Sequence, residues 1–577
     1  MTAEFDEATL MKALAVIERV WAAVEPSPFT TTDNPFPPSR LPEFSEAAAA
    51  ARAERGKRLM AQIDEVNADA LPLDVAATLA VGRKVTERWS KALDWYWLVF
   101  DPLQVGFFAM FAPTVYGGGF LLSSLGNVFA TQVFASEGDV ERYLALVCDY
   151  ARMLRQFDVR TRGQFDRGIV MPKAAIDPSV AAMTGLRGRA PAILSVAAER
   201  LAGVDGAEAA RRIEDRIQKL VFPAFDDLIA YISAPAYRDK APEAVGLTQY
   251  PGGAEVYAEL VRMHLTMDMS IDQVHQAGLT RMQSIREQMQ ALMDAVGFAG
   301  DPLAYLDAVK QDPRWRAEGE TAITEVFQRY IDRIAPHIEA NFNFMPKAAH
   351  GVAALPAALE GAMTFGYYDM PKKDGDVGRY IFNTKNLSQG PLMNIAALNF
   401  HELVPGHHFH LASQRENTAL HPLRKGSSFN AFNEGWAEYA ATLAGELGMY
   451  AEPEEKFGRL VMDAFLTCRL VVDTGMNAMG WSLEQARDYM RANAFMPETE
   501  ILSESVRYSC DIPGQSLAYK LGDTYLLELR REMKEKLGNR FDLKAFHDAV
   551  LAPGGLPLPL VRKNVEAATQ RILEAAD

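Results

Sequence analysis

Four of the ten histidines in this chain fall within ten residues, His401-Glu-Leu-Val-Pro-Gly-His-His-Phe-His410. Imidazole nitrogens and a carboxylate form the donor set that zinc takes in catalytic sites, where one position stays open for water. Glu402, directly after the first histidine, stands where zinc peptidases carry the general base that draws a proton from metal-bound water. The chemistry indicated is hydrolysis with Zn2+ as the cofactor. The spacing departs from H-E-x-x-H, in which two histidines one helical turn apart reach the same ion. His407 and His408 follow His401 by six and seven residues. An unbroken helix would place them about 9–10 Å along its axis, too far to share an ion. Pro405-Gly406 supplies a break, because proline lacks an amide donor and disfavours a helical residue before it, while glycine accepts unusual backbone conformations. A loop-out there brings His407 or His408 back beside His401, and the residues alone leave the two as rivals.

The third ligand is expected from a helix downstream. Phe429 to Leu447 contains Asn433-Glu-Gly-Trp-Ala-Glu-Tyr439, with Glu434 and Glu438 at i and i+4 on an otherwise apolar face. Like charges so placed cost roughly 0.2–0.5 kcal/mol in an isolated helix. A metal on one and a histidine on the other would remove that conflict. Glu434 is therefore assigned to the metal and Glu438 to the second ring nitrogen of a ligand histidine. Hydrolysis through a tetrahedral oxyanion needs a donor besides the metal. The segment Arg507 to Gly522 offers Arg507, Tyr508, Gln515, Tyr519 and Lys520. Pro513-Gly514 opens a helix running to about Leu537, with Tyr519 in its second turn.

Helical periodicity dominates the elements that must position these residues. Glu137 to Phe157 and Ala207 to Ile232 repeat at three-and-four spacing, Ala47 to Arg52 suits a helix, and Ser270 is a good N-cap for Ile271 to Val296. Gly246 to Gly253 reads as an irregular connection. Strand signals lie between Phe365 and Phe382, where Tyr367-Tyr368 and Tyr380-Ile381-Phe382 flank a polar turn, Lys372 to Gly378. The fold class is mainly α with a small β-sheet beside the zinc helix. The expected division is a helical N-terminal part, 1–240, and a catalytic part, 241–577, in one continuous structural unit. Pro102 to Ser136 lacks any charge, but Pro113 and Gly117 to Gly119 interrupt it. It is expected to form two buried helices joined by a glycine turn, not a membrane span.

Apolar residues are 49% and charged residues 23% of the 577, as in soluble globular proteins, and the net charge is −16 with no long basic tract. Nucleic acid is therefore not an expected partner. Cys148, Cys468 and Cys510 are too few and too scattered for a disulfide framework or a thiolate zinc site. The acidic start, with Glu4, Asp6 and Glu7, is unlike a secretory signal. These features indicate a cytoplasmic setting, and a homodimer is compatible with them.

The chain resembles the bacterial family filed as domain of unknown function 885. The resemblance rests on Gly246 to Gly253 with Tyr257; Ile271 to Gly278, including His275; His401 to His408; Glu434-Gly-Trp436; and Arg507-Tyr508, Pro513-Gly-Gln515, Tyr519-Lys520 and Gly522. The site also resembles helical zinc oligopeptidases such as thimet oligopeptidase, carboxypeptidase Taq and angiotensin-converting enzyme. Aligning Gly406-His407 with their Gly-His step makes Val404-Pro405 a two-residue insertion, favours His407 over His408, and matches His410 to their last histidine. The resemblance implies a large zincin-like metallopeptidase with a deep helical cleft that cleaves short peptides. It also implies a downstream tyrosine, Tyr519 or Tyr508, as oxyanion donor, with Arg507 assisting or binding a substrate carboxylate. A strand at Gly378 to Asn383 would pair with the substrate backbone. Two other readings use the same residues: a zinc hydrolase of a non-peptide amide or ester, and an inactive metal-containing protein that captures peptides.

Overall fold

The computed structural model describes residues 6–25, 39–355, 366–372, 375–390 and 392–575. Of the residues singled out above, Glu4, Phe365, Lys373 and Asp374 lie outside that set. The chain is mainly helical, and its described strands form one three-stranded sheet.

Helix boundaries follow local chemistry. Ser270 caps helix α1 (Ile271–Ala295): its hydroxyl accepts from the Gln273 amide at 3.2 Å, and Gln273 Oε1 accepts from the Ser270 amide at 2.8 Å. This reciprocal pair satisfies two amides that a helix start leaves unbonded. The periodic stretch near 207–232 becomes Gly206–Arg216, a wide turn Ile217–Val221 and Phe222–Ser233. The uncharged stretch departs from expectation, because residues 102–114 contain no α-helix. Asp101 accepts from the amides of Gly106 and Phe107 at 2.7 and 3.3 Å, Gly106 takes φ +93°, and Phe100 pairs with Ala109. A side-chain-capped turn thus prevails over apolar continuity. The three glycines form a kink that leads into the short helix Phe120–Ser124: within the wide turn Val115–Gly119, Gly117 takes the non-helical φ −80°, ψ −117°. No helix among the described residues is long and apolar enough to cross a membrane.

The chain forms two compact units, Met1–Tyr257 with Val506–Pro513, and Ala258–Ser505 with Gly514–Asp577. The first unit is helical around Glu137–Asp166, where buried Arg160 donates to the carbonyls of Tyr96 and Met110, each at 2.9 Å. The returning segment closes this unit. The Met110 amide donates to Asp511 O at 2.8 Å, Gly246 to Ser509 O at 3.0 Å, and the Asp511 carboxylate accepts from the Tyr116 amide at 2.8 Å.

The second unit holds the sheet and five helices of the site: α2 (Ile395–Glu402), α3 (His407–Glu416), α4 (Asn430–Glu446), α5 (Pro453–Ala478) and α6 (Ala518–Leu537). The strands are β1 (His350–Ala354), β2 (Tyr367–Asp369) and β3 (Gly378–Phe382). β3 is central, parallel to β1 and antiparallel to β2, with Tyr380 opposite both Val352 and Tyr368. β1 has no counterpart in the sequence reading, since His-Gly-Val-Ala-Ala carries one β-branched residue. Helices α4 and α6 touch through backbone: a Cβ on Gly435 would lie 2.6 Å from Gly522 Cα, and one on Gly522 would lie 2.0 Å from Ala431 O.

Gly435→Ala and Gly522→Ala are each expected to destabilise the protein by about 1–3 kcal/mol through overpacking. Gly188, on the helix Lys173–Leu194, has no atom within 4 Å of a built Cβ. Gly188→Ala should be neutral or stabilise by up to about 1 kcal/mol. Urea unfolding of the three variants checks this, and equal effects would remove the backbone contact as the cause.

Candidate metal centre

Helix α2 ends one residue after His401. Leu403 leaves the helical region at φ −107°, ψ −115°, the Val404–Pro405 bond is cis, and α3 restarts at His407. Gly406 lies against the end of α2, where a Cβ would fall 1.9 Å from His401 O, so only glycine fits. The Pro405 carbonyl accepts from Trp436 Nε1 at 2.8 Å, which ties this loop-out to α4. The extra residues are thereby folded out of the helical path. The rings of His401 and His407 come within 4.8 Å of each other, their planes at 89°.

Glu434 on α4 completes the cluster. Its Oε2 lies 3.7 Å from His401 Nε2 and 3.3 Å from His407 Nε2, and one ligand atom from each residue falls within 4.8 Å of the others. Glu434 Oε2 is buried and accepts no hydrogen bond. His408 turns the other way, since consecutive helical residues project about 100° apart. Its Nδ1 bonds Tyr368 Oη on β2 at 2.8 Å and its Nε2 bonds Ala348 O, two residues before β1, at 3.1 Å, so both ring nitrogens are occupied away from the cluster. The structure brings His407, and not His408, to His401 and Glu434.

Both cluster histidines are held through Nδ1. Glu438 Oε1 takes His401 Nδ1 at 2.9 Å, and His410 Nε2 lies 3.2 Å from His407 Nδ1. Where Nδ1 carries the hydrogen of that bond, the neutral ring keeps its lone pair on Nε2, on the side of Glu434. The direct reading of the residues did not single out this role of His410. The available signal was its place three residues after His407, on the same helical face.

Tyr519, at the start of α6, is half-buried with its ring 6.1 Å from that of His401 at 11°, and the Arg469 guanidinium lies 4.8 Å over it. Lys520 is turned into the interior: its side chain is fully buried, with Nζ 2.9 Å from Glu438, 3.2 Å from Asp463 and 2.7 Å from Asp523. Gln515 sits buried in the short turn Gln515–Leu517. Arg507 and Tyr508 belong to the segment that packs with the first unit, where Arg507 lies over the rings of Tyr116 at 4.8 Å and Tyr508 at 5.9 Å. Strand β3 is paired with β1 along its length and with β2 over Arg379 to Ile381, so its middle is closed to an added backbone, contrary to the expectation for this strand; Asn383 instead caps the next helix, accepting from the Asn386 amide at 3.1 Å.

Fold and cluster together describe a mainly helical protein with a partly buried cluster of two histidines and one carboxylate. The chain belongs to the bacterial family of unknown function DUF885, whose profile matches residues 28–565. No curated protein matches it. Among solved structures it is similar to a protein from Colwellia psychrerythraea, at 22% identity and TM-score 0.82 over 97% of each chain. It is also similar to one from Shewanella oneidensis of unknown function, at 17% identity and TM-score 0.71 over 96% of this chain and 98% of that one. Each of the two is described as a "putative lipoprotein". At these identities the likeness establishes a shared fold.

The charges of the cluster are strongly coupled. Burial pushes the Glu402 carboxyl above the usual carboxylate range, while the neighbouring His401 and His407 pull it back and Glu434 pushes it further up. Burial opposes a proton on His401, but its contacts with Glu434 and Glu438 prevail and raise it from 6.5 to about 10. Glu434 is held below the carboxylate range despite burial, chiefly by His407. A pKa raised on folding stabilises the metal-free fold fully below the unfolded value, and that stabilisation is lost as pH rises through the folded value. Metal-free wild type should therefore exceed His401→Gln in melting temperature most just below pH 6.5, and the gap should shrink towards pH 10. A constant gap across that range would disprove the coupling.

Proposed function

We propose that this chain is a zinc-dependent peptidase acting on short peptides, with His401, His407 and Glu434 as metal ligands and Glu402 as general base. The observation that carries this reading is the convergence of two imidazole Nε2 atoms on a buried carboxylate oxygen that accepts no hydrogen bond. An unsatisfied buried carboxylate oxygen is costly, and a cation among these three groups satisfies it. Two histidines and a glutamate are the donor set of many zinc hydrolases, so the residues fit the ion.

When bound there, Zn2+ lowers the pKa of water and polarises a carbonyl. Glu402, whose carboxyl burial raises above the usual carboxylate range, takes a proton from the attacking water and passes it to the leaving amine. Tyr519 is assigned as the hydroxyl donor to the developing oxyanion, its ring lying near both His401 and Arg469. Glu438 and His410 keep the two ligand rings oriented. A peptide substrate is supported by the resemblance of these same residues, His401 to His410, Glu434 and Tyr519, to helical zinc oligopeptidases.

Elemental analysis should find about one zinc per chain, lost in His401→Ala and His407→Ala and kept in His408→Ala. A folded wild type that neither carries zinc nor takes it up would end this reading. Glu402→Gln should keep the metal and lower turnover of a peptide library by roughly 10²–10⁴-fold. Full activity in that variant would remove Glu402 from the mechanism. Cleavage of esters without any peptide would move the assignment to a non-peptide hydrolase.

A further inference from the structure

Behind His401 stands a buried lattice of charge that ligand coordination does not by itself require. Glu438 is 1% exposed, and its two oxygens divide their work. Oε1 takes His401 Nδ1 at 2.9 Å, while Oε2 takes Lys520 Nζ at 2.9 Å and Arg459 at 3.0 Å. Lys520 is wholly buried and also meets Asp463 at 3.2 Å and Asp523 at 2.7 Å. Arg281, on α1, bonds Asp463 at 2.9 Å and reaches Asp523 at 3.4 Å. The group balances three carboxylates against three cations contributed by α1, α4, α5 and α6. Buried ion networks of this kind add little net stability, and well-packed apolar side chains of similar volume often match or exceed them. What such a network does supply is geometry, because each partner fixes the rotamer of the next.

We propose that Lys520, with Arg459 beside it, is a positioning residue of the metal centre: by occupying Glu438 Oε2 it leaves Oε1 turned to His401 Nδ1, and so aims His401 Nε2 at Glu434. This rests on the metal-site reading given above. It also gives a use to a lysine whose ammonium group, buried among carboxylates, cannot meet a substrate. The rival account is a clamp that only joins helices, and it predicts altered stability with an unaltered metal site.

The test uses the full-length chain as wild type, Lys520→Met and the charge-balanced Lys520→Met/Asp523→Asn, which removes one cation and one anion together. Arg333→Met is the control; it strips a cation from buried Glu455, 2.9 Å away on α5, in a pair separate from the network around Glu438. Zinc affinity is read by competition with a chromogenic chelator, and ligand geometry by the visible absorption of the Co2+-loaded protein. Loss of a group that orients a ligand typically weakens metal binding about 10–100-fold. That loss, with shifted Co2+ bands, is expected in both Lys520 variants and not in Arg333→Met. Unchanged affinity and superimposable Co2+ spectra would overturn the positioning role, as would failure of both variants to fold, which would make Lys520 a stability residue. A wild type that binds no zinc would defeat the metal-site reading itself, before any substitution is considered.

Discussion

The interruption between Glu402 and His407 is the constraint on which the rest of the site depends. A continuous helix would separate His401 and His407 by well over one turn. The helix ends at Glu402, the chain passes through Leu403 to Gly406, helix resumes at His407, and the two rings end up perpendicular neighbours. Every later contact presupposes this: Glu434 reaches both rings, and His410 and Glu438 back them, only because the axial offset has been removed. The hydrogen bond from Trp436 to Pro405 O makes the loop-out part of the packed interior.

Helix α4 then carries an unusual load. Within five residues it presents a carboxylate to the ring nitrogens, a glycine to α6, an indole to the loop-out and a second carboxylate to His401 and Lys520. These demands are compatible because Gly435 and Gly522 let the two backbones meet. That contact brings Tyr519 and Lys520, at the start of α6, to opposite purposes: one ring lies along His401, and the other side chain is sealed behind Glu438.

Much of this was legible in the sequence, for stated reasons. Four histidines beside Glu402, and Glu434 and Glu438 one turn apart, mark a shared face because helix geometry is fixed. The capping box at Ser270 is likewise local chemistry. The choice between His407 and His408 was not legible from periodicity, since it turns on the backbone path at Pro405-Gly406. β1 escaped notice because its pairing with β3, and not its composition, makes it a strand. Residues 102–114 misled because apolar content says nothing of Asp101 capping a turn. The burial of Lys520 was hidden because its three carboxylates come from helices α4, α5 and α6.

The return of Val506–Pro513 to the first unit has a consequence for biosynthesis. Domains generally fold as units, N-terminal first, as the chain emerges. Here the amides of Met110, Tyr116 and Gly246 receive their acceptors from residues some 250 or more positions later in the order of synthesis. The N-terminal helices can gather early, but those donors lack these acceptors until Val506–Pro513 has been made. Completion of the first unit therefore waits for Val506–Pro513, and an isolated fragment ending near Tyr257 would lack part of its own interior.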